Sequence, residues 1–132
     1  MNGTGTLERL AAALAGERDV QVAVAFGSLA RGEARFGSDV DVAVLTDRPL
    51  TSDRRSALME LVAAVTGRAV DLVDLRAAGV PLLRSALREG RELVRKDEAA
   101  YGRLVARMVA DAEDLLPLQQ RLLRDRRERW IR

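Results

Sequence analysis

The apolar positions change period along this chain, and each change marks an element. From Thr6, the residues Leu7, Leu10, Ala11 and Leu14 recur at helical spacing, with Thr6 read as the N-cap and Gly16 as the stop. Val20, Val22, Val24 and Phe26 then alternate with Gln21, Ala23 and Ala25, the period of a strand whose small face can pack closely under a helix. Gly27 to Gly37 contains three glycines and little periodicity, so it reads as a loop with room for a helical turn after Ser28. Alternation resumes from Asp39 to Leu45. A polar stretch with Pro49 leads into a helix over 53–65, where Leu58, Leu61, Val62 and Val65 share a face and Gly67 closes the last turn. Ala69 to Leu75 reads as a third strand. Pro81 opens a helix through Leu82, Leu83, Ala86 and Leu87 that Gly90 ends, and Glu92 to Val94 supplies a short edge strand. From Asp97 onward the pattern is helical and amphipathic, and Pro117 breaks or kinks it into two helices.

This order predicts one α/β (α+β) domain spanning residues 1–132, with a core over about 6–95 and C-terminal helices over about 97–131. The expected architecture is a small mixed sheet with helices packed on one face, plus the C-terminal helical extension. A length of 132 residues with 48% hydrophobic composition is enough for one compact core.

Composition then narrows the chemistry. Cysteine is absent, which excludes disulfides, zinc-thiolate sites and cysteine nucleophiles. Histidine is absent too, so any catalysis must run on carboxylates, hydroxyls, arginines and bound ions. Aromatic residues make up only 3%, and Tyr101 and Trp130 both lie late in the chain, so stacking on bases is poorly supplied and nucleic acid is not expected as a direct substrate. Formal net charge is +2, and Lys96 is the sole lysine among 22 basic residues. No apolar run approaches the roughly 20 residues that cross a bilayer, and no signal-peptide core opens the chain; a soluble cytoplasmic protein without membrane contact is expected. The tail from Arg121 to Arg132 carries six arginines against two acids. It reads equally as a helix packed on its own domain with a solvated basic face or as a segment that docks on an acidic partner or touches RNA.

The acids are where the chemistry concentrates. Asp39 and Asp41 are two residues apart in a strand, so their carboxylates leave one face about 7 Å apart along the chain. Asp71 lies mid-strand in the next strand and can converge with them. Asp74, three residues on, points to the opposite face from Asp71; alternation alone does not choose between the two, and the mid-strand position favours Asp71. Clustered carboxylates form a hard, oxygen-rich site suited to Mg2+ or Mn2+. Gly27 ends the first strand, where the lack of a side chain lets a phosphate approach the backbone, and Ser28 offers a hydroxyl at the start of a helical turn. Arg31 and Arg35 follow in the same loop and can neutralise phosphate charge. Taken singly, each feature is more simply a turn, a solvated strand face or a surface charge. Their combination, strand, Gly-Ser, ten residues, then Asp-x-Asp among valines, is a far longer joint requirement.

The stretch Phe26-Gly27-Ser28-Leu29-Ala30-Arg31-Gly32, followed by Ser38-Asp39-Val40-Asp41-Val42, resembles the signature of the DNA polymerase β-like nucleotidyltransferase superfamily. Val70 to Leu75 and Leu87 to Val94 are similar to the minimal nucleotidyltransferases within it. The resemblance implies a nucleotidyltransferase fold in which Ser28 holds the triphosphate of ATP, Asp39 and Asp41 bind two metals, and Asp71 is the third carboxylate and a candidate base. It further implies the antitoxin of a type VII toxin–antitoxin pair, which transfers AMP from ATP to a tyrosine hydroxyl of a HEPN-domain ribonuclease toxin. Two other readings stay open: a non-catalytic antitoxin that works by contact alone, and a nucleotidyltransferase for a small acceptor such as an aminoglycoside. The second normally needs a further drug-binding domain, for which few residues remain after Val94.

Overall fold

The computed structural model describes residues 3–27 and 40–110. Eight elements follow one another: α1 (Gly3–Ala15), β1 (Val20–Phe26), β2 (Val40–Thr46), α2 (Ser52–Thr66), β3 (Val70–Asp74), α3 (Val80–Glu89), β4 (Arg91–Arg95) and α4 (Glu98–Ala110). The strands form one mixed sheet in the order β3-β2-β1-β4. β1 is antiparallel to both β2 and β4, whereas β2 and β3 run parallel. A parallel pair needs a crossover, and α2 provides it.

Helix ends follow local chemistry. The Thr51 hydroxyl accepts from the Arg54 amide at 3.1 Å to cap the start of α2, and the left-handed Gly67 amide donates to the Ala63 carbonyl at 2.7 Å to close it. Asp97 does the same for α4, its carboxylate accepting from the Ala100 amide at 3.0 Å. Thr6 is not the N-cap of α1. The helix already runs from Gly3, and Thr6 sits inside it as one of the few buried polar residues, its place on the inward face outweighing its preference for a cap.

The sheet is covered on both sides. Ala23, Ala25, Val40, Val42, Val44 and Leu72 pack with Leu10 and Leu14 of α1 and Leu58 and Val62 of α2. On the other face Val22, Val24, Phe26, Ala43 and Leu45 pack with Leu83 and Ala86 of α3 and Ala100, Leu104 and Met108 of α4. The small mixed sheet is as expected, but helices on one face alone is corrected: α3 joins α4 on the second. The cause is visible in β1 and β2, whose odd and even positions are both apolar and both buried. Pro117 and the arginine-rich tail lie outside the described residues.

Arginines fasten the edges. Arg55 of α2 donates to the Leu72 carbonyl of β3, and the Arg54 guanidinium clasps Asp19 through Nε and Nη2 at 2.8 and 2.6 Å. The Arg54 hydrogen bonds, with its charge behind them, hold the Asp19 carboxyl below its ordinary value of 3.8 against the opposing effect of burial. A carboxyl lowered by folding adds stability above its ordinary value and loses it as pH falls through its folded value. Asp19→Asn is therefore expected to melt lower than wild type at neutral pH, by no more than about 1 kcal/mol for a partly exposed pair. The gap should close as pH drops below 3.8. Thermal melts across that range check it; a gap independent of pH would assign the loss to something other than the ion pair.

Candidate functional site

Three segments meet at one end of the sheet because of strand direction. β1 runs toward this end, and β2 and β3 start from it. Phe26 pairs with Asp41 across β1 and β2, and Asp41 pairs with Asp71 across β2 and β3. Register partners on adjacent strands share a face, with strands about 4.8 Å apart. Asp41 and Asp71 are thus neighbours on the side covered further along by α3 and α4. Ala43 and Val73, each two residues on, pack with that side.

Asp74 is elsewhere. Its register partner is Val44, which belongs to the α1 and α2 side, and its carboxylate accepts from the Arg76 amide at 2.9 Å. It organises the turn after β3 and does not join Asp41.

Gly27 takes φ of 71°, in the left-handed region. A Cβ built on it would lie 2.4 Å from Oδ2 of Asp41 and 3.3 Å from its carboxyl carbon. The Asp41 carboxylate therefore rests against the bare backbone of Gly27, in space that any other residue would fill. Sequence reasoning assigned Gly27 to phosphate approach. Its contact with Asp41 depends on the antiparallel pairing of β1 with β2, for which the local sequence carries no signal.

Asp41 is half-buried and Asp71 is exposed. Among the described residues no cation lies within ion-pairing distance of Asp71. Two carboxylates on one face, open to solvent on one side and backed by glycine on the other, form a hard oxygen donor set that fits Mg2+ or Mn2+ better than a soft metal. No group of three acids close enough to hold a metal occurs among the described residues. Asp39, Ser28, Arg31 and Arg35 lie outside them, in the segment that leaves Gly27 and re-enters at Val40. Among the described residues, no helix is long and apolar enough to cross a membrane.

A family model described as polymerase beta, nucleotidyltransferase matches residues 8–99. The protein adenylyltransferase MntA of Shewanella oneidensis is 35% identical over 74 residues, 56% of this chain and 53% of that protein. The chain thus spans about half the length of the curated relative it matches. A solved toxin–antitoxin complex with AMP-PNP contains a chain of similar fold at TM-score 0.66, 25% identical, covering 92% of this chain and 95% of that one. A tri-AMPylated Shewanella oneidensis HEPN toxin in complex with MNT antitoxin matches at TM-score 0.66 and 22% identity, over 93% of this chain and 97% of the other, a likeness of fold alone.

Proposed function

This chain belongs to the polymerase beta nucleotidyltransferase family, and from that premise we propose that it transfers AMP from ATP to a tyrosine hydroxyl of a HEPN-domain toxin, acting in the cytoplasm as the antitoxin of a type VII pair. The observation that carries the proposal is the in-register pairing of Asp41 with Asp71 beside Gly27. The acceptor and nucleotide are supported by the 35% identical adenylyltransferase and by the AMP-PNP complex.

In this reading Asp39, Asp41 and Asp71 would hold Mg2+ or Mn2+, which when bound supplies charge neutralisation at the reacting phosphate. Ser28 and the backbone at Gly27 would seat the triphosphate, and Arg31 and Arg35 would offset its charge. The acceptor oxygen forms a bond to the α-phosphorus, the bond from that phosphorus to the bridging oxygen breaks, and pyrophosphate leaves with the electron pair. Asp71, exposed and without a cationic partner among the described residues, takes the hydroxyl proton.

The test mixes the purified chain, ATP, Mg2+ and the protein encoded beside it, and follows the partner by mass spectrometry. AMP-sized increments on a tyrosine of the partner are expected, with loss of its ribonuclease activity. Silencing of the partner without increments would replace catalysis by contact inhibition. Modification of an aminoglycoside in place of the protein would overturn the acceptor.

A further inference from the structure

We propose that the cleft between α4 and the far end of β2 is a second anion site, which takes a phosphate-sized oxyanion. The cavity of about 280 Å³ is bounded by Gln21, Leu45, Asp47, Arg76, Arg103 and Arg107. Leu45 lies four residues beyond Asp41 on the same strand and face, which sets the cleft about 13 Å from the acid corner. Its charge is opposite to that corner: three guanidiniums against the single carboxylate of Asp47.

Two of the three guanidiniums are held in place by neutral groups. Arg107 donates through Nη1 to the Arg76 carbonyl at 2.7 Å, and through Nη2 to the carbonyls of Leu75 at 2.6 Å and Ala78 at 3.3 Å. Arg76 donates through Nη2 to the Thr46 carbonyl at 2.7 Å. Carbonyls orient a guanidinium without cancelling its charge, and each of these side chains keeps unspent N–H donors. Arg103 stands exposed beside them. Among the described residues no carboxylate lies within ion-pairing distance of Arg76, Arg103 or Arg107. The contrast lies on the same molecule: Arg54 pairs with Asp19 and Glu17, and Arg95 with Glu92 and Glu98. In this cleft Arg76 and Arg107 are oriented by carbonyls, Arg103 stands beside them, and all three keep their charge.

The ligand class follows from charge and size. Planar forks at fixed positions suit the several oxygens of a phosphate. The cavity of about 280 Å³ has room for a phosphate-sized group. Its source is either a free phosphate or pyrophosphate, or the phosphodiester of a nucleic acid. The inference stands apart from the nucleotidyl-transfer proposal, since neither acid of that corner lines the cleft.

The experiment titrates the full chain with inorganic pyrophosphate in EDTA by calorimetry, with a single-stranded RNA oligonucleotide as the second arm. Saturable binding is expected in at least one arm, weakened about tenfold by Arg103→Glu and partly restored in Arg103→Lys. Arg103 is exposed and has no partner among the described residues, so its replacement should leave the melting temperature in place. Binding of pyrophosphate assigns the free ion, and binding of RNA alone assigns the phosphodiester. Absence of saturable binding in both arms overturns the site, as does binding that Arg103→Glu leaves intact.

Discussion

Asp41→Asn is expected to lower AMP transfer by at least about 10³-fold, equivalent to about 4 kcal/mol of transition-state stabilisation, while the chain still folds. The substitution keeps size and shape but halves the oxygen donors and removes the charge. Asp41 is half-buried against Gly27, and its strand is fixed by pairing on both sides, so an amide there has no easy route to another geometry. Asp71→Asn should behave alike, with the added loss of a proton acceptor. Asp74→Ala is the internal control. That carboxylate faces the other side and caps the turn at Arg76, so its loss should cost stability and spare transfer. Rates with the cognate partner, measured beside thermal melts, check all three. Full activity in Asp41→Asn, or inactivity in Asp74→Ala at an unchanged melting temperature, would mean that the acids are assigned wrongly.

The choice between Asp71 and Asp74 shows what the sequence could and could not disclose. Period-two alternation places the two on opposite faces, and the mid-strand position of Asp71 favours it without showing which face meets Asp41. The answer lies in the parallel register of β2 with β3, a pairing between segments separated by a whole helix. Elements whose signal is local were legible: β1 spans Val20–Phe26 as read, and α2, β3 and α3 fall within a residue or so of their expected limits. The edge strand appears as β4, Arg91–Arg95. Relations between elements were not legible. The small alanines of β1 predict a surface packed under a helix, yet the same strand's valines need a helix too, and α3 covers them. Arg107 illustrates the point again, since its three carbonyl partners are about thirty residues away and leave no spacing pattern to detect.

Gly27→Ala tests the contact that joins the two halves of the motif, and Gly67→Ala separates its causes. Both glycines have nearly the same backbone, φ of 71° and 70°, so an added methyl costs each about 1–2 kcal/mol of left-handed strain. Their surroundings differ. At Gly67 a Cβ meets nothing within 4 Å, while at Gly27 it meets the Asp41 carboxylate at 2.4 Å, closer than any real contact allows. One of the two must move, and the side-chain carboxylate yields before a paired strand does. Gly67→Ala is therefore expected to lower the melting temperature and leave transfer intact. Gly27→Ala should lower it by a similar amount and also bring transfer down by about 10²-fold or more, the scale expected when a reacting group is displaced by about 1 Å. Raising Mg2+ should recover part of the Gly27→Ala activity, because the displaced carboxylate is still present, and none of the Asp41→Asn activity. Equal activity in the two alanine variants at equal stability would show that Gly27 serves the turn alone, and that Asp41 does not need the space beside it.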